Sequence, residues 1–252
     1  MTIKFYEDNE YIRSGITLKD PTKPEENNMA LHCCQDPEAI LKNRQALADT
    51  LQTDLQHIVC ANQTHSANVH KVTREDFGRG ATSANDAIKD TDALYTFEKD
   101  VTLCTFTADC VPVTFYEPTS GLIGVIHSGW QGTVKEISSH VMEQLISKEK
   151  IDPRHLNVHL GSALSQEKFE VDEDVYFKFK ALGYANDFMY FNEQTNKYHI
   201  DNQLTVKKQF ELAGVPSHQI TIDTSCTFIE DFGFSYRQNR EDGRHLTFLQ
   251  RK

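Results

Sequence analysis

The chain has no hydrophobic run approaching the roughly 18 consecutive apolar residues that a membrane-spanning helix needs. Its first eight residues, Met1-Thr-Ile-Lys-Phe-Tyr-Glu-Asp8, contain no apolar segment of the signal-peptide type. It also lacks a long Lys/Arg run, and a formal charge of -11 argues against a nucleic-acid backbone as partner. Internal repeats, low-complexity tracts and proline-rich linkers are absent. So are Gly-x-Gly-x-x-Gly, a Walker-type Gly-Lys-Ser/Thr, Gly-x-Ser-x-Gly and His-Glu-x-x-His, which leaves a serine hydrolase without support.

What remains is an ordinary soluble composition: 252 residues, 38% hydrophobic and 25% charged. That length suits one large domain or two small ones and can bury a sizeable core. The acidic balance still admits a small anionic substrate, because one local arginine can hold a phosphate. Six cysteines without a secretory signal imply a reducing compartment, in which free thiols or metal ligands outnumber disulfides. A cytosolic protein is therefore expected, with its oligomeric state left open.

Asp36-Pro37-Glu38 opens a helix, with an acid at the N-cap and proline at the first position. Ile40, Leu41, Ala46, Leu47 and Leu51 follow at helical spacing. Segments 56–61 and 69–72 read as short strands, and the Gly-, Ser- and Asp-rich residues 73–91 as a mobile connection. Apolar runs at 92–97, 101–107, 111–116 and 122–126 read as strands, the last covered on both faces. A helix is expected over 133–148, with Val134, Ile137, Val141, Leu145 and Ile146 as its apolar stripe. Further strands are expected at 156–160, 220–226 and 246–249, and helices at 171–182 and 201–213. Residues 189–191 and 198–200 are expected to pair. Helices interspersed with hairpins and crossovers argue for a single α/β (α+β) domain, residues 1–252, with layered mixed sheets flanked by helices.

Three motifs carry chemistry: Gln63-Thr-His-Ser66, Thr107-Ala-Asp-Cys-Val-Pro112 and His127-Ser-Gly-Trp-Gln-Gly132. Each sets one metal ligand or nucleophile, His65, Cys110 or His127, at the end of a strand-like run. Two imidazoles and a thiolate leave a fourth position open on zinc, the mark of a catalytic rather than a structural site. Cys110 and His127 flank a hairpin that can bring them side by side. Pro112 disturbs regular pairing near Cys110, and Gly129 and Gly132 permit close backbone approach beside His127. Asp109 joins Cys110, His127 and His65 as a catalytic candidate, in an acid/base role, if the backbone bulges to bring it into the site, and otherwise accepts a hydrogen bond that fixes a neighbouring loop. Taken singly, a histidine at a strand end is more often a core residue, and Cys60 or Cys104 a small buried hydrophobe. His155 with His159, and His32-Cys33-Cys34, lack the further ligands a metal site needs.

The ordered set Gln-x-His-Ser, Thr-Ala-Asp-Cys-x-Pro and His-x-Gly-Trp-x-Gly resembles the YfiH family, also called laccase-domain or multicopper polyphenol-oxidase-like proteins. The resemblance extends to the segment from His32 to Ala39 with Asn43-Arg44, to Cys226-Thr227, and to Phe234-Ser-Tyr-Arg237. It implies one α/β domain of layered mixed sheets and a zinc site formed by His65, Cys110 and His127. It also implies phosphorolysis of adenosine, inosine, guanosine or methylthioadenosine, and deamination of adenosine, so that a purine nucleoside and phosphate are the expected partners. Within what remains of the family's Thr-Arg-x-Gly-Gly-Val-Ser, here Arg13-Ser-Gly-Ile-Thr17, Arg13 is expected to hold phosphate. Gln131 stands where arginine is usual, and Gly161-Ser-Ala-Leu164 replaces Gly-Pro-Ala-Ile.

Two other chemistries fit the same residues. Cys110 as nucleophile with His127 as base would make a metal-free hydrolase or amidase, including a peptidoglycan-precursor editor. His65 favours the metal, since a Cys-His pair does not require a second histidine. Copper suits a thiolate with two imidazoles, as in the phenol oxidation of the family's older name.

Overall fold

The apolar runs become the inner strands of two sheets in the computed structural model, which describes residues 1–252. The first half comprises β1 (Ile3–Asp8), β2 (Ile12–Thr17), α1 (Pro37–Leu51), β3 (Ile58–Cys60), β4 (Val69–Lys71) and β5 (Ala93–Thr96). The centre is β6 (Thr102–Thr107), β7 (Val111–Glu117), β8 (Leu122–Ser128), α2 (Trp130–Val134), α3 (Ile137–Ser147) and β9 (Asn157–Leu160). There follow β10 (Glu170–Val171), α4 (Glu173–Lys180), β11 (Met189–Asn192), β12 (Lys197–Ile200), α5 (Asn202–Leu212), β13 (Ile220–Ile222) and β14 (His245–Arg251).

One sheet runs β1-β2-β14-β6-β3, another β13-β9-β7-β8-β5-β4, and a small one β10-β12-β11. Both large sheets are mixed: β3 pairs parallel and β14 antiparallel with β6, while β5 pairs parallel with β4 and antiparallel with β8. This is the expected mixed α/β arrangement. Val59, Leu103 and Leu249 of the first sheet share a buried cluster with Leu94, Ile123 and Val125 of the second, so the sheets stack face to face. All seven residues of β8 are buried, which explains its nearly uninterrupted apolar run. The outer face of the six-stranded sheet is covered by Val141 and Leu145 of α3 and by Val206 and Phe210 of α5. Leu47 and Leu51 of α1 cover the other sheet beside Cys104 and Phe248. Burying each such side chain stabilises the fold by about 1.5–3 kcal/mol. No helix is long and apolar enough to cross a membrane.

The Asp36 side chain accepts from Glu38 N–H at 2.9 Å, so α1 starts where its N-cap signal lies. Three expectations are corrected. The helix expected over 133–148 is two helices, broken at Glu136 with φ 60°. The Thr133 carbonyl, which one continuous helix would offer to Ile137, accepts instead from Glu136 N–H at 2.9 Å and from Gln209 Nε2 at 2.8 Å. The 73–91 connection is not loose: the chain crosses back on Cys60, with Cys60 N–H on Arg79 O and Ile88 N–H on Cys60 O, and Arg44 holds the Gly80 and Ala81 carbonyls. Residues 13–17, the motif remnant in which Arg13 is expected to hold phosphate, are part of strand β2 between β1 and β14. Gly15 is required there because a Cβ would stand 2.6 Å from the Lys4 carbonyl and 2.9 Å from the Phe248 ring.

His245 opens β14 fully buried. Its Nδ1–H donates to Thr17 O at 2.7 Å, and Nε2 accepts from Phe234 N–H at 2.8 Å. Both bonds require the neutral ring. Burial, reinforced by the charges of Lys19 and Arg244, outweighs the Thr17 carbonyl and pushes the imidazole down to about 4. The unfolded chain takes up this proton near 6.5 and the native one does not, so His245's contribution is complete above pH 6.5 and fades as pH falls toward 4. Urea denaturation from pH 7 to 4 should show stability falling by up to about 1.4 kcal/mol per unit from this group. His245→Asn should be less stable at pH 7 but flatter across that window. An unchanged slope in the variant would remove His245 from the acid response.

Candidate metal centre and its cleft

His65 lies in the loop between β3 and β4, in a left-handed conformation with φ 58°. Cys110 occupies the turn from β6 to β7, and His127 sits on β8 directly opposite Pro112 of β7. Pro112 contributes only its carbonyl, which accepts from Gly161 N–H at 2.8 Å beyond the end of β9. The β7–β8 hairpin and the 62–68 loop thus converge. The three ligand atoms lie within 4.8 Å of one another, Cys110 Sγ stands 3.9 Å from His65 Nε2, and the two imidazoles cross at 73°. Gly129 makes room for them, since a Cβ there would lie 2.6 Å from the His65 ring and 2.9 Å from the sulfur.

Asp92, just before β5, holds this arrangement from behind. Its side chain is wholly buried, and Oδ1 accepts from His127 Nδ1–H at 2.8 Å and from His65 N–H at 3.1 Å. Oδ2 accepts from the Ser66 N–H and hydroxyl, both at 2.7 Å, and from Thr64 N–H at 3.1 Å. Burial opposes its ionisation, but the bonds from His127 and Ser66 prevail and bring the carboxyl down to about 2. With Nδ1 engaged, His127 has only Nε2 left to present as a ligand. Burial raises the Cys110 thiol, yet the His127 charge and bonds from both histidines outweigh it and lower the thiol to about 6. His127 answers in kind: burial lowers it, while the Cys110 thiolate and Asp92 lift it to about 9. The donor set fits a soft-to-borderline metal such as zinc or copper: one thiolate and two imidazoles, with a carboxylate fixing one tautomer.

The centre lies in a cleft of about 880 Å³ that also exposes His32, Phe106, Trp130, Gln131 and Tyr236. Asp109 lines it with φ 81°, outside any strand. Its carboxylate is engaged by the Thr227 hydroxyl at 2.8 Å and Arg237 N–H at 2.7 Å, so it fastens the Cys110 turn to the 226–237 segment. Burial raises this carboxyl against those bonds. Arg13 is not brought to the cleft. It sits on β2 in register with Asp8 and Gln250, and its Nε donates to Asp8 at 3.2 Å. The phosphate role expected of Arg13 is therefore withdrawn. Asp92 and Arg44 were missed. Asp92 carries no mark in the sequence beyond preceding a strand. Arg44 does: it interrupts the Ile40–Leu47–Leu51 stripe at a core-facing helical position.

The family described as multi-copper polyphenol oxidoreductase laccase matches residues 13–252. The purine nucleoside phosphorylase YlmD of Bacillus subtilis is 35% identical over 249 residues, 96% of this chain and 90% of that protein. The crystal structure of a hypothetical protein YfiH from Bacillus licheniformis superposes with TM-score 0.91 at 30% identity, covering 98% of this chain and 99% of the other. That of YlmD from Geobacillus stearothermophilus gives 0.90 at 31% identity, covering 98% of each. The chain belongs to this laccase-like YfiH family, several of whose members are named as purine nucleoside phosphorylases.

If Asp92 orients the ligands, Asp92→Ala should weaken metal binding by about 10- to 100-fold, the usual cost of losing such a partner. Competition titration against a chromogenic chelator measures it. Affinity equal to the parent chain would show that the carboxylate serves folding alone.

Proposed function

We propose that the chain is a zinc-dependent purine nucleoside phosphorylase, acting on adenosine, inosine, guanosine and methylthioadenosine, which also deaminates adenosine. The observation that carries this reading is the His65–Cys110–His127 cluster, held within 4.8 Å at one wall of a cleft large enough for a nucleoside. The relatives named purine nucleoside phosphorylase support the substrate class. His65, Cys110 and His127 would hold the metal. Zinc, when bound, supplies Lewis acidity at neutral pH. Asp92 orients both histidines, Asp109 positions the Cys110 turn, and Phe106, Trp130 and Tyr236 offer aromatic surface to a purine.

The reading extends to organisation and place. Residues 1–252 form one domain, a view supported by the buried cluster shared between the two large sheets. Cytoplasmic location is supported by six cysteines that are all free.

A second reading has a specific observation behind it. Cys110 is a thiolate near neutrality beside an imidazolium, the state a Cys-His nucleophile requires. Chelation separates the two. Under the zinc reading, metal-stripped protein should lose inosine and adenosine turnover and regain both with added zinc, and inosine cleavage should require phosphate. His65→Ala should abolish stoichiometric zinc in elemental analysis. Full turnover by metal-free protein, with a ribosyl adduct (purine released) or a purinyl adduct (ammonia released) trapped on Cys110, would replace the zinc enzyme by the nucleophilic one. Copper in place of zinc, with phenol oxidation, would restore the family's older description.

A further inference from the structure

Nine arginines are present in the chain, and four of them, Arg44, Arg237, Arg240 and Arg244, line the cleft. Elsewhere Arg13, Arg74, Arg79 and Arg154 each pair with a carboxylate. None of the four in the cleft does, although the chain carries a net charge of -11. Of the four acids that line the cleft, Asp172 binds Lys197, Glu170 faces His199, and Asp109 accepts from Thr227 and the Arg237 backbone, while Asp174 pairs with none of the arginines.

Arg44 is the most constrained of the four, only 3% exposed. Its Nε donates to Met29 O at 2.8 Å, Nη1 donates to Gly80 O and Ala81 O at 2.6 and 2.7 Å, and Phe106 stacks against it at 4.9 Å. These carbonyls satisfy its donors without supplying a counter-charge, and Nη2 is left without a protein acceptor. A buried cation in that condition is costly unless an anion completes it. Arg244 is held similarly, by the Asp242 and Gly243 carbonyls and over the Tyr236 ring at 5.7 Å. Met29 joins the two, its carbonyl accepting from Arg44 Nε and its N–H donating to the Arg244 carbonyl, and the Phe106 ring that Arg44 covers also meets the His32 ring at 6.2 Å, so both arginines border one part of the cleft that holds the metal ligands.

We infer that Arg44 and Arg244 form an anion subsite in the cleft that takes a phosphate dianion beside the His65–Cys110–His127 cluster. Guanidinium groups whose charges are uncompensated, and whose remaining N–H donors are fixed in direction, match a tetrahedral dianion better than a lone carboxylate. This rests on the phosphorylase reading for the origin of the anion, which is either free phosphate or a phosphoryl group carried on the nucleoside.

The test is calorimetric titration of the full chain with inorganic phosphate. Arg244→Gln and Arg44→Lys should each raise the dissociation constant by about tenfold or more, the scale of one lost charge-assisted bond. Arg154→Gln, an exposed pair outside the cleft, should leave it unchanged. In turnover the same two variants should raise KM for phosphate while KM for inosine stays within about twofold. Circular-dichroism melts check folding, and if Arg44→Lys does not fold, Arg244→Gln decides. Adenosine monophosphate titrated against bound phosphate identifies the source: competition assigns the subsite to a substrate phosphoryl group, and independence to free phosphate. Phosphate affinity unchanged in Arg244→Gln and Arg44→Lys, or no phosphate binding to the parent chain, overturns the subsite. Phosphate-dependent turnover that ignores both substitutions would sink the subsite and spare the phosphorylase. Phosphate binding lost in the variants, without nucleoside turnover in the parent, would do the reverse.

Discussion

The Asp92 carboxylate, withdrawn entirely from water, accepts hydrogen bonds from Thr64, His65, Ser66 and His127. A buried ion needs such partners, and here they come from two elements far apart in the chain. Because the same two oxygens serve the backbone of the 62–68 loop and the ring of His127, the loop cannot move without disturbing the histidine. The left-handed His65 and the turn at Asp109 are tolerated because this network and the β7–β8 hairpin over-determine them.

Around that anchor the molecule divides its labour. The face-to-face sheets bury Leu103, Val125 and Leu249 and contribute rigidity, while loops carry His65 and Cys110 and the end of β8 carries His127. Ligands in loops and at strand ends are aimed by a scaffold that its apolar core holds rigid. Asp109 illustrates the division: it does not face its neighbour's chemistry but fastens the Cys110 turn to Thr227 and Arg237, from the far end of the chain.

The arginines of the cleft have no carboxylate partner in a chain that carries a net charge of -11. Arg44 and Arg244 are held by carbonyls rather than carboxylates, so their charge stays available to a ligand in the cleft. Net charge bears on extended polyanions and carries no information about how charges are paired within one cleft.

Local pattern made much of the fold legible. Apolar runs marked β6, β7 and β8, the Asp36-Pro37 cap marked the start of α1, and the hairpin spacing set Cys110 near His127, because strand periodicity, capping and short turns are encoded within a few residues. Where the acceptor or partner is distant, the pattern misleads. Gln209 splits the helix expected over 133–148 at Thr133, and Arg44 pins a connection that composition alone makes look loose. Arg13, in a motif remnant, lies on β2 opposite Asp8 of β1. The sequence by itself determined which side chains can ligate and which segments extend or coil. Only the tertiary structure decided that Asp92 stands behind the histidines and that unpaired arginines stand in the cleft, because buried charges take their partners from across the fold rather than along the chain.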